Sequence, residues 1–523
     1  MGAKIAMLVC FFAVMLGIGW YYRKTAQRVS DFVIGGREVG PWLTAFSYGT
    51  SYFSAVIFVG YAGQFGWKYG LASTWTGIGN ALIGSLLAWF VLGRRTRIMT
   101  QHYDSATMPD FFGRRFSSPG LRTAASLITF VFLIPYTASL YNGLSRLFGL
   151  AFNIDYTWCI LLMAVLTGIY VIAGGYMATA VNDFIQGIIM LFGIIAVVGG
   201  VLATNGGFTN AIASLSQVQN TQTPELSGAF TSFFGPDPLG LLSVVILTSL
   251  GTWGLPQMVG KFYAIRDEAA INKGMVISTI FALVVAGGSY FLGGFARLYG
   301  GEVDVATQGY DAIIPAMVSK LPDLLIGFIV ILVLSASMST LSALVLTSSS
   351  TLTLDLIKPR FDREMDDRSQ ITWIRWLIVL FVAISAAIAI VQFKSKVTFI
   401  AQLMGISWGT LAGAFLGPLV WSLYSKKTSA VSVWCCFAFA VVFMCGATFF
   451  PGMYPVFLQN PITAGAFCMC IGLIIVPIIS LFTKAPDTES VDKAFAAYDR
   501  KVSVPVKDDL GLYYSIQIQL NRD

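Results

Sequence analysis

Long apolar runs separated by short polar stretches make up most of the chain. We count about thirteen runs close to the ~20 residues that cross a bilayer as an α-helix. They cover residues 3–22, 42–66, 71–92, 122–145, 155–175, 181–203, 239–263, 275–298, 323–350, 372–392, 398–424, 429–449 and 462–482. The pattern predicts an all-α protein that crosses a membrane many times. A β-barrel is excluded, because barrel strands show short alternating segments instead.

Composition supports the same class. Hydrophobic residues make up 56% of the chain and charged residues only 11%, against roughly 25% charged in soluble domains. The net charge of +7 does not indicate nucleic-acid binding, since the basic residues cluster at the ends of apolar runs. They lie at or after the ends of the first, third, seventh, ninth and eleventh runs, at Arg23, Lys24, Arg28, Arg94, Arg95, Arg97, Arg114, Arg115, Lys261, Arg266, Lys273, Lys358, Arg360, Arg363, Arg368, Lys426 and Lys427. We therefore expect an external N terminus and a cytoplasmic C terminus.

The residues that carry most enzyme chemistry are sparse. His102 is the only histidine, which excludes a histidine-based metal site or triad. The seven cysteines lie in or beside apolar runs without metal-ligand spacing, so we expect packed free thiols. No nucleophile–base pair or nucleotide-binding loop is present, and we expect a protein that is not an enzyme.

Two apolar runs contain features that interrupt a helix. Residues 46–54 (FSYGTSYFS) place small, hydroxylated and glycine residues in mid-span, and residues 250–256 (LGTWGLP) contain two glycines and a proline. Irregular backbone at this depth is tolerated where it lines a cavity, and one interrupted helix in each half is typical of inverted-repeat transporters. Helix packing by small residues and a simple proline kink are the alternatives.

Hydroxyl groups are concentrated in the ninth run. Ser335, Ser339 and Ser342 share a helix face. Their oxygens suit a hard cation such as sodium, although such hydroxyls also bond back to their own helix. Asp183, at the start of the sixth run, is either a solvated aspartate near the helix N-cap or a cation ligand.

The regions outside the apolar runs are polar. Residues 206–235 are rich in Gly, Ser, Thr, Asn and Gln and predict an external loop. The tail 484–523 predicts a solvated segment, with a short surface helix over 493–502 as the alternative. We divide the chain into residues 1–40 with an extra helix, a transport core over 41–425 with repeats 41–203 and 239–425, two further helices over 426–483, and the tail.

Five motifs in order resemble the sodium:solute symporter family. They are residues 31–40 (DFVIGGREVG), 106–116 (ATMPDFFGRRF), 174–186 with Asn182, Asp183 and Gln186, 254–262 (GLPQMVGKF), and 338–342 (MSTLS) followed by Asp355-Leu356. The likeness covers roughly residues 5–480.

The resemblance implies the fold of the bacterial leucine transporter, a five-plus-five inverted repeat with broken second and seventh helices. It implies a main sodium site formed by the carbonyls of Thr50, Phe53 and Ala336 and the hydroxyls of Ser339 and Thr340. Some similar members have a second sodium site, to which Asp183, Ser339 and Ser342 correspond. The next ligand position is Ala343 here rather than serine.

The resemblance implies a small organic substrate, a carboxylate or an amino acid. The proline branch has an aspartate where Tyr52 stands, and residues 51–55, 58–60 and 69–71 look more like the pantothenate branch. Residues 136–139 and 146–148 match the proline branch. The implied substrate-binding residues are Tyr52, Ser54, Asn80, Tyr136, Thr252, Trp253 and Pro256. Asn80 could instead form a hydrogen bond between helices.

Taken together, these patterns predict a sodium-coupled symporter in the cell membrane. Its expected partners are sodium, a small solute and the bilayer, without nucleic acid. A sodium-independent facilitator and a membrane-embedded solute sensor are the alternatives. The hydroxyl cluster argues against the facilitator, and a tail of about 40 residues is too short for a kinase domain.

Overall fold

The computed structural model describes residues 2–24, 26–152, 154–219, 227–395, 400–484 and 488–499, together with two strands in the tail. The first half contains α1 Gly2–Tyr22, α2 Val29–Ile34, α3 Pro41–Tyr52, α4 Ala62–Tyr69, α5 Thr74–Gly79, α6 Arg94–His102, α7 Met108–Arg115, α8 Pro119–Phe152, α9 Tyr156–Thr204 and α10 Phe208–Ser216. The second half contains α11 Pro238–Gly254, α12 Pro256–Ala264, α13 Glu268–Gly293, α14 Val305–Gln308, α15 Ile313–Ser319, α16 Asp323–Leu352, α17 Lys358–Phe361, α18 Asp367–Ser395, α19 Ile400–Tyr424, α20 Ala430–Phe449, α21 Pro461–Phe482 and α22 Thr488–Ala496. π-Helical turns occupy Val56–Tyr61, Asn80–Leu87, Trp89–Gly93 and Thr353–Ile357, and short 3₁₀ turns join several of the helices. The antiparallel strands are β1 Val502–Val506 and β2 Tyr514–Ile518.

In the described chain, ten helices are long and apolar enough to cross a membrane, or eleven if the bent pair α11 and α12 forms one span. The predicted all-α membrane fold is confirmed. The helical stretch Val56–His102 contains part of the second predicted run and the whole third one. The fifth and sixth runs both lie within α9.

Two glycines turn the chain where these predicted runs meet. Gly70, after α4, has a φ of 61°, and Gly175, inside α9, has a φ of 57°. Both lie in the left-handed region that favours glycine. Gly175 divides α9 into two arms, and the fifth and sixth predicted runs correspond to these two arms.

Both predicted helix breaks are present. The helical hydrogen bonding of α3 stops at Tyr52, and Phe53 has extended backbone (φ −81°, ψ 125°) before the chain resumes as a helix. In the second half, Leu255 is extended (φ −79°, ψ 122°) between α11 and α12, whose axes differ by 45°. Each break exposes backbone groups that an intact helix would pair.

The core of the molecule lies around α16. Every side chain from residue 329 to residue 346 is buried, including the whole hydroxyl cluster. This helix packs against α3, α8, α9 and α18. A helix that is buried on all sides by other helices can carry polar groups only if protein atoms or a ligand satisfy them.

The prediction of a solvated tail is wrong for residues 488–499. Helix α22 lies against the end of α6. The Tyr498 hydroxyl donates to the Leu423 carbonyl at 3.1 Å, and Arg95 lies 4.7 Å from the Tyr498 ring centroid. Burial raises the pKa of the Tyr498 hydroxyl above its usual range. The tail docks because its aromatic side chains find cationic partners, which local composition does not reveal.

Candidate functional site

Five oxygen atoms meet between the end of α3 and the middle of α16. The Ser339 hydroxyl lies 2.9 Å from the Thr50 carbonyl oxygen and 3.2 Å from that of Ala336. The Thr340 hydroxyl lies 3.1 Å from the Thr50 oxygen, 3.2 Å from the Phe53 oxygen and 3.1 Å from the Ala336 oxygen. All five residues are buried. The structure thus brings together the whole set that the resemblance implied.

The proton count of this cluster is its most informative property. The two hydroxyls have five carbonyl contacts of hydrogen-bonding length, yet each hydroxyl carries one proton. At most two contacts can be ordinary hydrogen bonds at one time, so lone pairs face lone pairs in the others. A small cation at the centre would convert this excess of oxygens into ligands, as happens where unwound backbone carbonyls bind sodium.

The break in α3 is what frees the carbonyls. Phe53 donates its N–H back to Gly49, but its own carbonyl has left the helix. Because the chain is extended at Phe53, the Thr50 and Phe53 carbonyls point toward α16 instead of toward the next turn. Small and hydroxylated residues at this point lose little by leaving the helix, since they have weak helix propensity.

The residues of the expected second sodium site are engaged elsewhere. The Ser342 hydroxyl donates to the Ser339 carbonyl of its own helix at 2.8 Å. Asp183 is fully buried in α9, eight residues beyond the kink at Gly175. The prediction of a solvated aspartate at a helix start is therefore wrong, because the helix begins earlier than the apolar run. Its Oδ2 accepts a hydrogen bond from Ser47 at 2.5 Å.

An aromatic cluster lies beside the oxygen cluster. The Trp408 ring of α19 lies 5.8 Å from the ring of Tyr52 and 5.7 Å from that of Tyr136. Trp408 also covers Gly251, where an added Cβ would come within 2.6 Å of the indole. It therefore contacts both broken helices. The Tyr52 and Tyr136 hydroxyls and the indole N–H of Trp408 are buried without a hydrogen-bond partner.

The other residues predicted to bind substrate fall into two groups. Ser54 approaches the Tyr136 hydroxyl and accepts a hydrogen bond from the N–H of Val56. Asn80 accepts a hydrogen bond from Ser249 through Oδ1, which is the interhelical bond foreseen as its alternative, while its Nδ2 has no partner.

The side chains of Thr252, Trp253 and Pro256 offer no unpaired polar atom. Thr252 donates to the Gly84 carbonyl and Trp253 to the Ile83 carbonyl, both at 2.9 Å, and these bonds join α11 to the third predicted run. Pro256 lines a separate small cavity of about 50 Å³. Their polar atoms are thus already engaged or absent, so we expect them to hold the helices rather than a ligand.

Three residues of this region were not predicted. Trp408 and Tyr290 are in apolar runs, where an aromatic side chain is typical of the core. The Tyr290 hydroxyl approaches Tyr52 and Asn80 but forms no hydrogen bond of regular geometry. Gln257 has neither side-chain polar atom paired although it is buried. Its position directly after the break was a usable signal, since an amide at membrane depth is costly unless it has a partner.

The motif at residues 106–116 meets Asp355 of the last motif. The contact lies on the side of the molecule where the basic residues are concentrated. Thr107 donates to Asp355 Oδ2 at 2.6 Å and Arg122 donates to Asp355 Oδ1 at 2.9 Å. Arg122 also pairs with Asp110 at 3.2 Å. These contacts fasten the loop before α8 to the end of α16.

The two broken helices, the buried oxygen cluster between α3 and α16 and the adjoining aromatic cluster define a secondary transporter. The family model for the sodium:solute symporter family matches residues 32–435. The chain belongs to this family. It is therefore a transporter rather than an enzyme, and sodium is its coupling ion.

Individual relatives agree with this assignment. The chain is 30% identical over 428 residues to the osmoregulated proline transporter OpuE of Bacillus subtilis, across 81% of this chain and 84% of that protein. It is 30% identical over 431 residues to sodium/proline symporter 2 of Staphylococcus saprophyticus, across 81% of each. A solved structure of a substrate-bound, outward-open Na⁺-coupled sialic acid symporter matches 93% of this chain and 98% of that one, with a TM-score of 0.75 and 16% identity. That likeness shows the fold.

Proposed function

We propose that the protein imports a small zwitterionic solute of the proline type, driven by sodium held at the oxygen cluster. The observation that carries the proposal is the five-contact geometry in which two hydroxyl protons face three carbonyl oxygens. Thr50, Phe53, Ala336, Ser339 and Thr340 would each give one oxygen to the ion.

Sodium at this position would couple to substrate through α3. Thr50 and Phe53 provide carbonyls to the ion, and Tyr52, between them, faces the aromatic cluster with its ring. An ion that fixes the broken end of α3 against α16 therefore also fixes Tyr52 in the aromatic cluster. The binding of each ligand then strengthens the binding of the other.

The chemistry around the aromatic cluster favours a solute without net charge. Its orphaned groups are the Tyr52, Tyr136 and Tyr290 hydroxyls, the Trp408 indole N–H and the Asn80 amide N–H. All five can donate a hydrogen bond to a carboxylate. The aromatic faces around Trp408 can hold an ammonium group. The names of the relatives support proline, and the replacement of an aspartate by Tyr52 leaves the ammonium to the aromatic faces.

Uptake by proteoliposomes tests this assignment. We expect an inward sodium gradient to drive accumulation of radiolabelled proline or a compound that competes with it, with glycine betaine and pantothenate as the comparison solutes. Equal uptake with potassium in place of sodium would indicate a facilitator and overturn the coupling. Accumulation of pantothenate alone would overturn the substrate class.

We also propose that the ends of the helices near Arg94, Arg95 and Lys426 face the cytoplasm. The distribution of lysine and arginine supports this orientation. A reporter that is active only in the cytoplasm, fused after Asp523, should be active. Activity of a periplasm-specific reporter at the same point would reverse the topology.

A further inference from the structure

A lysine is buried beside Asp183. Lys261 belongs to α12 and is only 3% exposed, although the sequence suggested a loop cation after the seventh run. Its Nζ donates to the Ser47 hydroxyl at 2.7 Å, and Ser47 donates to Asp183 Oδ2 at 2.5 Å. The direct Nζ–Oδ2 distance is 3.9 Å. These three residues, the Lys261–Ser47–Asp183 chain, join α12, α3 and α9.

The ammonium is therefore the counter-charge of the carboxylate. A charge at membrane depth persists only when it is paired, and Asp183 and Lys261 are each the only ionic partner of the other among the described ion pairs. Lys261 also faces the Tyr176 ring, with Nζ 5.1 Å from the centroid. A sodium ion bound to Asp183 would stand close to the lysine ammonium, and like charges at such short range disfavour each other.

The remaining ligands for a second sodium are missing or engaged. Ser342 donates to its own helix, and Ala343 offers no side-chain oxygen. Ala343 and Lys261 line the same small cavity of about 50 Å³. The Oδ1 atom of Asp183 has no hydrogen-bond partner, and it is the carboxylate oxygen at which a sodium ion would compete with the lysine.

We propose that Lys261 serves as a built-in cation for Asp183 and takes the place of a second sodium ion. The protein then binds one sodium, at the Thr50–Thr340 oxygen cluster, in each transport cycle. This inference deepens the proposed function and depends on it only for the first sodium.

Binding of radiolabelled sodium to the purified full-length protein tests the inference without knowledge of the substrate. We expect one sodium per wild-type chain, with a Hill coefficient near one. Lys261→Met and Asp183→Asn should each lower the thermal midpoint, because each leaves one buried charge unpaired. The double variant K261M/D183N should regain most of that loss and still bind one sodium, with an affinity within about threefold of wild type. Lys320→Met, which removes an exposed pair with Glu302, is the matched control and should change neither quantity.

The opposing results are equally definite. Two sodium ions per wild-type chain, with one lost in Asp183→Asn, would show that Asp183 is a sodium ligand and would overturn the proposal. A double variant no more stable than the worse single variant would show that the two charges do not compensate each other, and would overturn it as well. Failure of the proposed function looks different: sodium binding would be absent in wild type, or unchanged by Ser339→Ala and Thr340→Ala.

Discussion

The Thr340 hydroxyl lies 3.2 Å from the carbonyl oxygen of Phe53, a residue 287 positions earlier in the chain. The contact joins the break in α3 to the centre of α16, which belong to different halves of the molecule. The same hydroxyl lies 3.1 Å from the Thr50 carbonyl. One side chain therefore touches two carbonyls released by the same helix break, and this is the physical basis for placing the coupling ion there.

The packing of α4 against α13 predicts a severe effect of a single methyl group. A Cβ at Gly66 would lie 1.8 Å from the Gly293 carbonyl oxygen, which belongs to backbone that cannot easily move aside. We expect Gly66→Ala to destabilise the protein by at least the ~1–3 kcal/mol typical of an overpacked core. The thermal midpoint of the purified protein measures this.

Gly260→Ala in α12 is the control for this prediction, since an added Cβ there would meet nothing within 4 Å. It should leave the midpoint unchanged or raise it slightly, because alanine favours helix. Equal midpoints for Gly66→Ala and wild type would show that α4 and α13 do not pack this closely.

Docking of the tail predicts protection from protease. Removal of the Tyr498 ring loses its hydrogen bond to Leu423 and its contact with Arg95. We expect Tyr498→Ala to accelerate tryptic cleavage at the exposed Lys493 by roughly tenfold, which corresponds to a loss of about 1.4 kcal/mol. Asp499→Ala, an exposed neighbour, should leave the rate unchanged. If the wild-type tail were cut as fast as that of Tyr498→Ala, the tail would not be docked.

The free hydroxyl of Tyr136 predicts a role in substrate binding. Tyr136→Phe removes a buried donor without changing the ring that packs on Trp408. A lost bond to a charged group is worth about 1.5–3 kcal/mol, so the KM for the solute should rise roughly ten- to hundredfold. Tyr141→Phe is the control, because its hydroxyl is also buried and unpaired but is not part of the Trp408 cluster. Uptake kinetics in proteoliposomes distinguish the two. Identical KM values for both variants would remove Tyr136 from the site.

The sequence contains enough information to locate both helix breaks, because small, hydroxylated and proline residues interrupt apolar runs in mid-span. It does not reveal the role of Lys261. A lysine near the end of an apolar run resembles a loop cation, and only the arrival of Ser47 and Asp183 from two other helices shows that it is buried and paired.

Trp408 shows the same limit within the candidate site. An aromatic residue in an apolar run is typical of packing, and its ring becomes part of the candidate site only because α3 and α8 bring Tyr52 and Tyr136 to it. The docking of α22 and of Tyr498 just beyond it is equally non-local, since their partners come from α6, α7 and α19. Contacts between distant parts of the chain, rather than local pattern, decide these features.

The sodium affinity of three alanine variants tests the central claim most directly. Loss of one oxygen ligand should cost about 1.5–3 kcal/mol, so Ser339→Ala and Thr340→Ala should each weaken sodium binding by roughly ten- to hundredfold. High sodium should partly restore uptake in both. Ser335→Ala, one turn away with a buried hydroxyl that has no partner, should retain wild-type affinity. Wild-type sodium dependence in Ser339→Ala and Thr340→Ala, together with an altered dependence in Ser335→Ala, would contradict the assignment of the coupling ion to this site.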